Sequence, residues 1–121
     1  MHGLGDLEAA VMRVLWAAPE PMKVREVLDR LDTGRQLAYT TVMTVLDNLF
    51  RKQWVERELH GKAYVYEPAF SREEASARAL REVLDSSVDP NAVLAHFVAS
   101  VSDEETEVLR GELRKKRIRR R

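Results

Sequence analysis

The chain has 121 residues, 45% hydrophobic and 33% charged, with 20 basic against 20 acidic side chains and no cysteine. That length suits one domain, or one domain plus a dimerisation appendage. Disulfides, thiolate nucleophiles and cysteine metal sites are excluded together, and the three histidines, His2, His60 and His96, are too scattered to suggest a metal cluster.

No apolar run approaches the roughly 20 residues of a membrane span, and the first residues lack a signal peptide's basic-then-apolar pattern, so a cytoplasmic location is expected. The zero net charge conceals an uneven distribution. Residues 114–121 read RKKRIRRR, seven basic groups, which leaves 13 basic against 20 acidic residues, a net of −7, in residues 1–113. Composition reads that basic stretch as a disordered, solubilising or non-specifically adhesive tail.

From the first residues onward, Leu7, Ala10, Val11, Val14 and Leu15 recur at the spacing of one helix face, and Pro19 and Pro21 end the element. A second short helix is predicted from Val24, Val27, Leu28 and Leu31, with Gly34 placed to terminate it near a left-handed position. The stretch YTTVMTVLDNLFRK, Tyr39 to Lys52, has the composition of a strand but the period of a helix. As a strand it would mix polar and apolar groups on both faces. As a helix it puts Val42, Val45, Leu46 and Leu49 on one side and Thr40, Thr41, Thr44, Asn48 and Arg51 largely on the other. β-branching costs the group about 2 kcal/mol of helix propensity, and burial of a four-residue apolar stripe outweighs that.

Two β-rich runs follow, Trp54–Leu59 and Ala63–Glu67, around the turn His60-Gly61-Lys62, with Pro68 closing the second. From Ser71 the pattern is wholly helical. Ser71 and Glu74 form a capping box, followed by a stripe of Ala75, Ala79, Leu80, Val83 and Leu84. Asp89 as N-cap and Pro90 at N1 open a helix whose stripe is Val93, Leu94, Phe97, Val98 and Val101. SDEE, from Ser102, is a second capping box, and it leads to Val108, Leu109 and Leu113. Three short helices with one apolar face each cannot bury those faces alone, and a second copy of the chain is the expected cover.

No nucleophile elbow, phosphate-binding loop, zinc-protease motif or dinucleotide fingerprint is present, so an enzyme is not expected. No metal site and no cofactor are expected either. Three helices and a hairpin form the order of a winged helix-turn-helix, with the third helix as reader and the hairpin as wing. Threonine is suited to such a reader, because its hydroxyl can meet a base edge or phosphate while its methyl lies against a thymine methyl. Asn48 could pair with adenine. Arg51 and Lys52 at the end of the reader, Lys23 and Arg25 near the second helix, and Lys62 with His60 at the wing tip are candidates for the DNA backbone, while Asp47 is an awkward neighbour for phosphate.

In order and spacing, LGDLEAAVMRVLW, VREVLDRL, AYTTVMTVLDNLFRKQWVERELHGKAYVYEP and SREE resemble the BlaI/MecI/CopY family of penicillinase-repressor-type transcriptional regulators, from about Leu4 to Leu113. The resemblance implies an α+β, mainly α chain. The expected parts are a winged helix-turn-helix DNA-binding domain at residues 1–70 and a helical dimerisation region at 71–113, with the basic, disordered tail at 114–121 outside the family motif. It further implies a homodimer on palindromic double-stranded operator DNA, with Thr40, Thr41, Met43, Thr44 and Asn48 facing the bases. In the β-lactam branch the repressor is inactivated by cleavage before a phenylalanine, in a process triggered by a membrane sensor-protease. The corresponding bond here is His96–Phe97. The copper-responsive branch carries C-terminal cysteines, which this chain lacks. A second reading stays open: a winged-helix protein-interaction module without specific DNA binding, which the net of −7 would suit.

Overall fold

The computed structural model describes residues 3–34 and 36–119. Its elements are α1 (Asp6–Ala17), β1 (Met22–Lys23), α2 (Val24–Arg30), α3 (Tyr39–Arg51), β2 (Val55–His60), β3 (Ala63–Pro68), α4 (Arg72–Asp85), α5 (Pro90–Ser100) and α6 (Asp103–Arg119). The chain divides into two compact units, Met1–Ala79 and Leu80–Arg121. The first is a winged helix in architecture, mainly helical with one small sheet.

Helical period prevails over strand composition in α3, as expected from the burial gain. Val42, Leu46 and Leu49 are fully buried, and Val45 nearly so. They meet Val11, Met12 and Leu15 of α1 and Val27 of α2 in one core. Each such aliphatic side chain contributes about 1.5–3 kcal/mol by leaving water, well above the propensity cost of a threonine or valine in a helix. In α1 the buried band is Ala9, Val11, Met12 and Leu15, while Leu7, Ala10 and Val14 are only half-buried. The stripe turns because α1 packs against both α3 and β3.

The sheet order is β1-β3-β2, antiparallel throughout. His60 pairs with Ala63, so the wing turn is the two-residue Gly61-Lys62 loop. Gly61 takes φ +64°, a left-handed conformation that costs glycine nothing. β1 pairs Met22 with Tyr66 and Lys23 with Val65; it is absent from the sequence expectation, since two residues display no alternation. Gly34 has φ +76° but lies beyond the C-cap Leu31, in the loop rather than at the helix end.

An aromatic cluster secures the exit from the wing. Trp54 packs between Trp16 and Phe70, with ring centroids 6.5 and 5.1 Å away, and Trp16 Nε1 donates to the Phe70 carbonyl at 3.0 Å. Arg72 and Arg78 stack over Trp16 and Phe70, and Ala75 is buried. The first two turns of α4 therefore pack with the winged helix, and that unit extends past residue 70.

In the second unit the expected caps form. Asp89 accepts from the Ala92 N–H at 3.1 Å, and Ser102 and Glu105 exchange both bonds of a capping box at 2.9 and 3.0 Å. No described residue from Leu80 onward is buried. α6 runs through to Arg119, so residues 114–119 are helical, which corrects the expectation of a disordered tail; Arg120 and Arg121 lie outside the described residues. Arg and Lys are good helix formers, and positive charge is favoured near the negative end of the helix dipole. Among the described residues no helix is long and apolar enough to cross a membrane, and no group of acidic or histidine side chains could hold a metal ion.

Candidate nucleic-acid interface

With one side of α3 committed to the core, its other side is set by the helical period. Thr40, Thr41, Met43 and Thr44 are exposed on the first two turns, Asp47 and Asn48 are half-exposed on the third, and Arg51 is exposed at the end. The Thr44 hydroxyl donates to the Thr40 carbonyl at 2.9 Å, which leaves its oxygen able to accept. Four helices carry a glutamate folded back onto the preceding N–H: Glu8 on Gly5, Glu26 on Lys23, Glu74 on Ser71 and Glu105 on Ser102. α3 has neither a side-chain cap at Ala38 nor an acid in its first turn, so the positive end of its dipole is not neutralised.

Asp47 is accounted for by two guanidinium groups, Arg51 at 3.2 Å and Arg57 at 3.3 Å. Both its oxygens are engaged, so its charge is offset rather than offered to a phosphate. Arg51 also donates to Asn48 Oδ1 at 2.6 Å. Asn48, Asp47 and Arg51 thus form one chain of polar groups along the last turns of the reader, and Asn48 keeps its amide donors for a base edge.

Arg57 on β2 joins the reader helix to the wing, a role that the sequence pattern does not single out. Its guanidinium lies between the rings of Phe50 and Tyr64, 3.9 and 4.3 Å from their centroids, while reaching Asp47. It therefore ties the wing to the reader helix. Desolvation, the largest influence on its pKa, works against the charge, but interactions with Tyr66, Tyr64 and Asp47 more than offset it, and the pKa is raised. A shallow depression of about 310 Å³ lined by Met43, Thr44, Asp47, Arg57, Tyr64 and Tyr66 separates reader and wing. The available signal is an acid at 47 with aromatics at 50 and 64 flanking an arginine, visible only once the hairpin is folded.

The expected backbone contacts divide. Lys62 is exposed at the wing tip, Lys23 is exposed at the start of α2, and Arg25 is exposed with its guanidinium 5.2 Å from the Tyr39 ring centroid. Lys52 differs, because its ammonium is held by Glu8 Oε1 at 2.9 Å, so its charge is directed at α1 and not offered outward. Desolvation is the largest influence on the Glu8 carboxyl and pushes its pKa up, but bonds from Lys52 and the Gly5 N–H with the Lys52 charge bring it below its ordinary value. His60 lies 3.6 Å from Glu58 on the same strand.

The faces expected to join a second copy are open. Leu80 and Val83 on α4, Val93, Leu94, Phe97 and Val98 on α5, and Val108, Leu109 and Leu113 on α6 are exposed, while Leu84 and Val101 are half-buried. His96 and Phe97 are exposed within α5.

Residues 4–115 match the penicillinase repressor family model. The transcriptional regulator BlaI of Mycobacterium tuberculosis is 43% identical over 110 residues, 88% of this chain and 80% of that protein. The solution structure of the DNA binding domain of the repressor BlaI superposes with a TM-score of 0.52 at 25% identity, over 60% of this chain and 87% of that one. MepR, a transcription regulator of the Staphylococcus aureus multidrug efflux pump MepA, shares the fold alone, with a TM-score of 0.51 at 16% identity over 98% of this chain and 82% of that one. The chain belongs to the penicillinase repressor family, whose members are transcriptional regulators and not enzymes.

Proposed function

We propose that this chain is a homodimeric repressor that reads palindromic operator DNA through the exposed side of α3. Thr40, Thr41, Met43, Thr44 and Asn48 face the bases, and Arg51, Lys23, Arg25 and Lys62 approach the phosphates. The observation that carries this reading is the division of α3, whose stripe of Val42, Val45, Leu46 and Leu49 is buried while its threonine half is exposed and bounded by the wing. Lys52 is a phosphate contact only if DNA draws it away from Glu8. The expected targets are β-lactamase and other β-lactam-response genes. Relief comes through a membrane sensor-protease pathway that ends in cleavage of His96–Phe97. That bond lies in a helix, so α5 must open locally before a protease can use it.

Thr44→Ala is expected to weaken operator binding by about 1 kcal/mol, roughly fivefold, while leaving binding to a scrambled duplex unchanged. Equal losses on both duplexes in gel shifts would show that Thr44 reads no base. Mass spectrometry of the chain from cells exposed to a β-lactam should find fragments ending at His96 and starting at Phe97; other ends overturn the cleavage assignment.

A further inference from the structure

The basic end of α6 lies outside the reader helix α3, and the family match stops at residue 115. Its charges are largely unspent. Along α6 three carboxylates have local partners: Glu105 caps Ser102, Glu107 holds Arg110 at 2.6 Å and Glu112 holds Lys115 at 3.0 Å. Arg114, Lys116, Arg117 and Arg119 are exposed with no carboxylate partner among the described residues. Arg114 and Arg117 stand three residues apart, as do Lys116 and Arg119, a spacing at which like charges repel by about 0.2–0.5 kcal/mol per pair. A polyanion would relieve that repulsion. Ile118 is the one apolar residue in the segment, so no hydrophobic face is available for insertion into a lipid surface.

We infer that the end of α6 is a second, sequence-independent DNA contact that binds backbone phosphates beside whatever site the winged helix occupies. Such a contact works by releasing condensed counterions and needs no fixed geometry, so it suits a row of cations pointing to several sides of a helix. Joined covalently to the reader, it raises the local concentration of each DNA-binding element for the other. It rests on the reading of the chain as a DNA-binding protein, but the two can fail separately, because this contact is measured on scrambled duplex and the reader by preference for the operator.

The experiment uses the full chain and a variant carrying Arg114→Gln, Lys116→Gln, Arg117→Gln and Arg119→Gln, titrated onto a scrambled duplex from about 50 to about 200 mM salt. The slope of log K against log salt should become shallower by about 0.9 for each phosphate that is no longer neutralised, about 2 or more in all. The wild-type affinity should then fall on the order of tenfold more across that range than the variant's. An unchanged slope overturns the inference. A second variant, carrying Arg114→Lys, Arg117→Lys and Arg119→Lys, should keep the wild-type slope, since counterion release depends on charge and not on guanidinium geometry. If its slope flattens as much as that of the glutamine variant, the segment acts by another route. Vesicles containing phosphatidylserine should bind the wild type more weakly than the duplex does at equal phosphate concentration, and the reverse order assigns the segment to a membrane surface instead.

Discussion

Both units of this chain carry apolar stripes, sharper in the winged helix than in α5 and α6, and they do opposite things with them. In the winged helix the stripes of α1, α2 and α3 converge, and every buried residue among those described lies between Ala9 and Ala75. In the second unit the stripes of α5 and α6 bury nothing, with Phe97 48% and Val98 57% exposed. A periodic pattern thus specifies which face will leave water without specifying what covers it. The winged helix finds its cover within the chain, and the second unit's faces wait for another molecule, which we propose is a second copy.

The largest test of that contrast is in the core. Leu46→Ala empties a fully buried site on α3 and is expected to cost about 2–5 kcal/mol of unfolding free energy, read by denaturant titration. A loss under about 1 kcal/mol would mean that the α1–α3 core is loosely packed. Phe97→Asp provides the counterpart in the second unit. In an isolated chain an exposed substitution shifts stability by about 0.5 kcal/mol or less. Against a partner it places an unpaired charge in an apolar contact, so sedimentation should shift from dimer to monomer at micromolar concentration, and the melting temperature should lose its concentration dependence. A Phe97→Asp chain that stays dimeric removes α5 from the interface.

Charge separates the two units as sharply as burial does. Up to Ala79 the chain has 11 basic and 12 acidic residues, from Leu80 to Leu113 it has two and eight, and beyond that seven basic and none acidic. Nearly all of the acidic excess that would suit an interaction module without DNA binding therefore lies outside the winged helix. Within the winged helix, the one acid on the reader face is itself paired. Asp47→Asn should cost under about 1 kcal/mol of stability, since Asp47 is 46% exposed and such pairs are weak. Its larger effect should be on operator preference, by freeing Arg57 and with it the wing. The expected result is a several-fold loss on operator DNA with no change on a scrambled duplex, and a loss shared by both would show that Asp47 acts only through net charge.

The helices, the hairpin and most of the caps are legible in the sequence because each rests on a local rule: a period, a glycine in a tight turn, a serine three residues before a glutamate. What is not legible depends on contacts distant in sequence. β1 is two residues long and exists only because β3 lies beside it. Arg57 has the look of a solvated strand residue until folding brings Phe50 and Tyr64 around it. The α6 end is ambiguous for another reason, because a run of like charges signals disorder while each of its residues also favours a helix. The threonine face of α3 is plain in the sequence, since the valines and leucines between the threonines leave only one side for the core.

The smallest predicted effect concerns Lys52, whose partner Glu8 is 44 residues away and beyond any local pattern. Glu8 closes the first turn of α1 on the Gly5 N–H and receives the Lys52 ammonium on the same oxygen. Because the folded carboxyl titrates below its ordinary 4.5, its stabilising contribution is complete above that pH. It fades as pH falls through the lower folded value. Lys52→Met removes one of the groups that depress the pKa, so the variant should begin to lose stability at a higher pH than the wild type, with a difference at neutral pH of under about 1 kcal/mol. If the variant also keeps full operator affinity, Lys52 belongs to the scaffold. If it loses affinity with a shallower salt dependence, DNA competes with Glu8 for the ammonium and the pair opens on binding.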